Sequence, residues 1–215
     1  MNTPTSPPTR PRGRPPKGGD ANRPDTRALL IRTGVALATQ KGYSAVGLEE
    51  VLRLAQVPKG SFYHCFDSKE AFGQALIEAY AAYFADKLSR WFDDEAVPPL
   101  QRLRRFIADA RAGMVRHAFH RGCLVGNLGQ EMGALPESFR AQLVQVFLDW
   151  QRRTAACLEA AQQAGEIAAH WDCAWLAEFF WIGWEGAVLR AKLERSDQPL
   201  QSYADGFFAL LGDRR

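Results

Sequence analysis

Pro58, Lys59, Gly60, Ser61, Tyr63 and His64 crowd hydrogen-bond donors into one short run, with Phe62 alone interrupting them. An ammonium, two hydroxyls and an imidazole at this density suit contact with base edges and phosphates in a major groove. Val57 and Phe62 form the apolar side that would seat the run on the rest of the chain. Lys69, a few residues on, opens another candidate helix, whose positive dipole end would help it sit on a phosphate. Cys123 offers a different chemistry. It follows Arg121 and Gly122, so a helix starting at Leu124 would set the thiol beside an N-terminus and a guanidinium, both of which favour thiolate. The other role open to it is that of a buried, inert thiol. Ser61, His64 and Asp67 contain the elements of a nucleophilic triad, but they fall inside the donor run and its exit, without an oxyanion device. His117, His120 and Cys123 offer three metal ligands without a fourth at suitable spacing. Phosphate-cradling glycine loops and a βαβ pattern are absent, so neither cofactor nor metal is expected.

The elements that must hold these residues all carry helical periodicity. Leu48, Val51, Leu52 and Ala55 recur at i, i+3, i+4 and i+7, which gives a short helix with one buried face. Gln56, Val57 and Pro58 break it, and Pro58 suits the first position of the next helix, so residues 47–66 read as a helix-turn-helix. Before them, Asp25 or Thr26 caps a helix with Leu30, Gly34 and Leu37 on one face, ended by Gly42 in a left-handed conformation. Ser68 caps a long helix over residues 69–91, with Phe72, Leu76, Tyr80 or Tyr83, and Leu88 at helical spacing. After an acidic and Pro-Pro loop, helices are expected over 100–119, 136–164 and from an Asp172 cap onward, with one more after Pro199. The Asp172-capped segment is apolar on nearly every side, which predicts burial on two faces. The expected fold class is all-α.

Composition narrows the setting. With 215 residues and 47% apolar content the chain can bury a sizeable core. It has no uninterrupted 18-residue apolar run, hence no expected membrane span, and no apolar leader, so the cytoplasm is expected. Cys65, Cys123, Cys157 and Cys173 lack paired spacing and read as free thiols. Residues 1–66 carry ten Lys or Arg against four Asp or Glu, whereas 67–215 carry seventeen against twenty. A basic end on an acidic body suits a protein that touches nucleic acid at one end only. Residues 1–24 are rich in Pro, Arg and Gly, and RPRGRPPKG resembles an AT-hook in which Arg12 and Arg14 reach the floor of a narrow minor groove. A solvated basic tail that adds only counterion-release affinity is the alternative.

The run from Asp25 to Phe84, and VPKGSFYHCFDSKEAF within it, resembles the DNA-binding domain of TetR-type transcriptional regulators. That resemblance implies a three-helix head over residues 25–84 and an effector-binding, dimerising helical domain over 85–215. It implies a homodimer on a palindromic double-stranded operator, most simply as a repressor. By the same resemblance, Tyr43 and Val46 pack beneath the first helix, and the last two helices form the dimer's four-helix interface. Cys65 departs from the family, which commonly has a phosphate-contacting aromatic there. The segments RGCLVGNLGQEMGALP, WQRRTA and FWIGWEGAVLRAKLE resemble a subgroup that responds to small electrophiles such as unsaturated acids, aldehydes or maleimides. This makes Cys123 the leading candidate for sensing an acrylate-like effector, with Asn127, Trp150, Trp181, Trp184 and Glu185 as candidate contacts. A regulator sensing a non-covalent hydrophobic ligand, and a thiol enzyme acting on electrophiles, are the alternatives.

Overall fold

The computed structural model describes residues 25–212. The Arg12 and Arg14 arm lies outside the described residues. Nine helices are present among the described residues: α1 (Thr26–Lys41), α2 (Leu48–Ala55), α3 (Lys59–Cys65), α4 (Lys69–Phe92), α5 (Pro99–Arg116), α6 (Leu124–Gln130), α7 (Glu137–Gln163), α8 (Cys173–Glu194) and α9 (Gln198–Leu210). The all-α expectation holds.

Local chemistry sets most of the ends. The Asp25 carboxylate accepts the Arg27 N–H at 3.0 Å, the Ser68 hydroxyl accepts that of Ala71 at 3.0 Å, and Asp172 accepts those of Ala174 and Trp175 at 2.9 and 3.1 Å. Each satisfies a donor that the first helical turn leaves without a partner. Between α2 and α3 the chain turns through Gln56 in a left-handed conformation, and Pro58 serves as the cap of α3, one residue earlier than expected. α5 also stops short, at Arg116 instead of 119. Ala118 and Phe119 adopt positive φ of 48° and 59°, and the Phe119 N–H bonds back to Met114 O at 2.9 Å, closing the helix. Two successive left-handed non-glycine residues cost of order 1–3 kcal/mol each, a strain the surrounding packing must offset.

α1, α2, α3 and the start of α4 enclose Phe62, Phe66 and Phe72, whose ring centroids stand 5.0–5.4 Å apart. Tyr43 and Val46 are buried with them. α1 crosses α4 closely at Gly34, where a Cβ would lie 2.5 Å from Phe72 and 2.8 Å from Leu76. The rest of α4 runs into a second cluster with α5, α7 and α8, built on Phe84, Phe106, Trp150, Trp181 and Trp184. α9 covers one side of α8, and Gly183 makes room for the Tyr203 ring, which a Cβ would approach to 2.1 Å. Within the single chain α8 packs against both α7 and α9 and keeps a further apolar face open. Leu176, Phe180, Trp181, Trp184 and Ala191 are buried, whereas Trp175, Phe179, Ile182, Leu189 and Leu193 are exposed. No helix among the described residues is long and apolar enough to cross a membrane.

Candidate functional site

α3 is seated on the head mainly through Phe62, with Cys65 partly packed against the same core. Phe62 is fully buried, and its neighbours Pro58, Lys59, Gly60, Tyr63 and His64 are exposed, with Ser61 half-buried. Tyr63 keeps 57% of its surface accessible and meets Phe62 only edge-on, at 5.4 Å. The outer side of α3 is therefore an exposed strip of donors. Lys69 is exposed at the start of α4 with its ammonium 5.3 Å from the Tyr43 ring, and the Tyr43 hydroxyl donates to the Lys69 carbonyl. Cys65, the last residue of α3, is half-buried.

Behind this strip, the segment around α6 holds the far end of α1. The Asn127 amide donates to Ala38 O at 3.0 Å and Thr39 O at 3.2 Å, the Gly122 N–H donates to Thr39 O at 2.9 Å, and Lys192 of α8 reaches the same carbonyl at 3.4 Å. Glu131, just past α6, accepts the Tyr43 and Ser44 N–H groups at 3.0 and 2.7 Å. Gly42 allows this: its φ is +82°, and a Cβ there would lie 1.9 Å from a Glu131 oxygen. Carbonyls and amides at the end of a helix are thus satisfied by a different part of the chain instead of by water. Any displacement of α6 acts on α1 directly.

A cavity of about 1140 Å³ lies against this junction. Arg32 and Ala36 of α1, Tyr80 and Tyr83 of α4, Met114 of α5 and Val188 of α8 stand on its wall, as do Cys123, Trp184 and Glu185. Lys87, Arg116 and Arg121 add positive charge to it, Lys87 being paired with Asp109 at 2.8 Å. Three of the expected contacts are not on this wall. Trp181 is enclosed in the aromatic core and donates its indole N–H to Thr154 Oγ1 at 2.9 Å. Trp150 packs against Phe84 and Trp181 with ring centroids 4.4 and 4.8 Å apart, and lines a smaller groove between α4 and α7. Asn127 is committed to α1.

Cys123 caps α6, its sulfur accepting the Gly126 N–H at 3.5 Å. The thiolate expected from the helix start and Arg121 is corrected. Burial, and after it the Glu185 carboxylate, push the thiol well above its ordinary range, so at rest it is neutral. Glu185 is itself pushed up to about 7 by burial. Its carboxylate comes against α6 where Gly126 lacks a side chain; a Cβ there would stand 2.1 Å from Oε2. Tyr80 completes the group. Its phenol lies close to the Cys123 sulfur and the Leu124 N–H, and burial, then Cys123 and Glu185, raise it well above its usual range. Tyr80 was legible only as a residue at core spacing; its chemical neighbours come from other helices.

Comparison with known proteins agrees with this architecture. Residues 30–76 match the family described as bacterial regulatory proteins, tetR family, and residues 99–207 match the tetracyclin repressor-like C-terminal domain. The chain is 56% identical to the transcriptional regulator AcuR of Cereibacter sphaeroides over 95% of its own length and 93% of that protein's. It is 32% identical to the repressor NemR of Escherichia coli, over 83% and 89% of the two chains. Among solved structures, a TetR regulatory protein from Rhodobacter sphaeroides superposes with a TM-score of 0.83 at 57% identity, covering 85% of this chain and 96% of that one. The reduced form of Escherichia coli NemR superposes at 0.79 with 29% identity, covering 88% and 100%. The chain belongs to the TetR family of bacterial transcriptional regulators.

Proposed function

We infer that this regulator represses transcription as a homodimer on a two-fold symmetric operator and lets go when a small electrophile or unsaturated carboxylate engages Cys123. The observation that carries this is the position of the cavity: its lining joins α1, which packs against α3, to Cys123, Trp184 and Glu185. A ligand there touches both the part that would read DNA and the part that would pair two chains. Pro58, Lys59, Gly60, Ser61, Tyr63 and His64 would give register and specificity, and Lys69 a phosphate contact, with Arg12 and Arg14 supplementing them in the minor groove. Asn127 transmits a shift of α6 to α1 instead of touching the effector, and Trp150 and Trp181 stiffen the core behind it. The exposed apolar side of α8, continuous with α9, supports pairing through a four-helix interface. Such a regulator works in the cytoplasm.

Selection from random duplexes should recover a palindrome with half-sites about one helical turn, 34–36 Å, apart. Adding an acrylate-like compound should then weaken operator binding roughly 5- to 150-fold, the range of typical coupling energies of about 1–3 kcal/mol. Cys123→Ser should bind the operator and resist that release. The volume of the cavity, at the upper end for small-molecule sites, favours one other occupant, a bulkier apolar ligand held without a covalent bond. Full release of Cys123→Ser would select it. The homologues are regulators, and a purified chain that consumed electrophile beyond one equivalent would instead be a thiol enzyme.

A further inference from the structure

Three protonatable side chains from three separate segments, Tyr80, Cys123 and Glu185, meet on the cavity wall. The Tyr80 hydroxyl and the Glu185 carboxylate both lie near enough to the Cys123 sulfur to interact with it, and Glu185 Oε2 and Cys123 Cβ both border the space left by the missing Gly126 side chain. The Gly126 N–H also points at the sulfur, at 3.5 Å. The sulfur thus has two donors ready for a negative charge and one acceptor ready for its proton. Room for the acceptor is made by the missing side chain at Gly126, where any Cβ would overlap Glu185 Oε2. A merely structural buried thiol needs none of these partners, because S–H is a weak donor that cores tolerate unpaired.

Resting on the electrophile-sensing reading above, we propose that Glu185 is the general base and Tyr80 the hydrogen-bond donor that allow Cys123 to add to a neutral α,β-unsaturated carbonyl compound. The Cys123 S–H bond breaks and its proton passes to the Glu185 carboxylate. The sulfur electron pair forms an S–C bond at the β-carbon, and the C=C pair moves onto the α-carbon and carbonyl oxygen as an enolate. Tyr80 and the Gly126 N–H hold the sulfur's charge as it forms. Glu185 then returns the proton to the α-carbon, so the net change is addition of S–H across C=C with no oxidant or co-reactant. Burial favours neutral groups here: a thiol at rest is protected from adventitious oxidation and reacts only when an electrophile occupies the cavity. A base whose proton affinity lies near neutrality is matched to such a step.

The test uses the full-length chain and acrylamide, a neutral unsaturated amide, with the adduct at Cys123 followed by intact and peptide mass spectrometry. Glu185→Gln should slow adduct formation at least tenfold and Tyr80→Phe severalfold, with helicity and thermal midpoint checking that each variant is folded. A Glu185 that acted only as a buried charge would do the reverse, since removing it would ease thiolate formation and speed the reaction. Equal or faster alkylation of Glu185→Gln therefore overturns the proposal. Should that variant fail to fold, Glu185→Asp, which keeps the carboxylate one methylene further away, must fall between wild type and Tyr80→Phe or below; wild-type rate overturns it too. Operator release measured in parallel separates the two levels. An adduct that forms normally in both variants and still releases DNA sinks the proton transfer and leaves the regulator intact, whereas absence of any Cys123 adduct in the wild type sinks both.

Discussion

Of the α3 residues proposed to contact DNA, Tyr63 allows that contact to be separated from folding. Its ring is mostly exposed and meets the core only through the edge of Phe62, so truncation removes a donor and a stacking face while leaving the buried Phe62 anchor alone. Tyr63→Ala should lower operator affinity at least tenfold in a binding titration and shift stability by no more than about 0.5 kcal/mol, as for other surface substitutions. A matching loss of thermal stability would make Tyr63 a packing residue. Phe62→Ala should do the opposite, unfolding the head by about 3–5 kcal/mol. Glu185 makes a prediction about pH. Burial holds its carboxyl at about 7 against an ordinary 4.5, so between those values the folded state keeps a proton that the unfolded chain has released. Stability therefore falls as pH rises through that window, by up to roughly 3 kcal/mol at about 1.4 kcal/mol per pKa unit, and the penalty is complete above about 7. Tyr80 and Cys123, the titratable groups in contact with it, stay protonated throughout. Thermal melts of wild type between pH 5 and 7.5 should slope downward relative to Glu185→Gln; parallel curves would mean that water reaches the carboxylate freely.

At the scale of elements, α6 is too short to be stable alone, and what it does depends on what it holds. Glu131 binds two backbone N–H groups of the α1–α2 turn, and Asn127 binds two carbonyls at the end of α1. Hydrogen bonds to a charged group contribute about 1.5–3 kcal/mol each, so Glu131→Gln should cost the chain several degrees of thermal midpoint. It should also shrink the effector-induced fall in operator affinity at least threefold, because α6 would move without pulling α1 along. Asn127→Ala should act in the same direction, and the double variant should show less than the sum, both residues serving one junction. A full allosteric response in both variants would mean that α4 alone carries the signal. Elements of this kind explain what could be read from the chain. The caps at Asp25, Ser68 and Asp172, and the restart at Pro58, are local signals, and the helices they begin were legible from side-chain type and spacing. The early end of α5 was not, since positive φ at Ala118 and Phe119 runs against the preference of both residues and is imposed by packing. Likewise Trp181 and Trp184 share one helix at i, i+3, and only the rotation of α8 against α7 decides which stands on the cavity and which is sealed in the core. Cys123 could be placed at a helix start, but the carboxylate and phenol that stand beside it come from residues 62 positions later and 43 earlier.

At the scale of the whole molecule, one head is not enough. A single α3 exposes four or five donors, and phosphate contacts of that number give salt-sensitive, weakly selective binding. Two heads held at a fixed spacing turn the second contact into an intramolecular event, which raises affinity by orders of magnitude when the geometry matches and adds nothing when it does not. The same dependence on spacing is what a ligand in the α1–α8 cavity can exploit. In the proposed dimer, pairing must then be strong, and the described residues present an apolar surface suited to it: Trp175, Phe179, Ile182, Leu189 and Leu193 along α8, with Trp171, Trp175 and Phe179 stacked ring on ring at its start. Ile182 and Leu193 are 67% and 71% exposed, so they contribute little to the fold of one chain. Charges introduced there act mainly on association. Ile182→Glu with Leu193→Glu should yield a folded monomer by sedimentation, with helicity unchanged and operator affinity reduced at least a hundredfold. The residual binding should keep a salt dependence while losing its preference for the palindrome over a single half-site, because each head still carries its own lysines. A double variant that remains dimeric would move the interface off α8; one that is monomeric and still grips the full palindrome tightly would show that spacing between heads does not govern recognition, and the cavity would then need another route to the DNA.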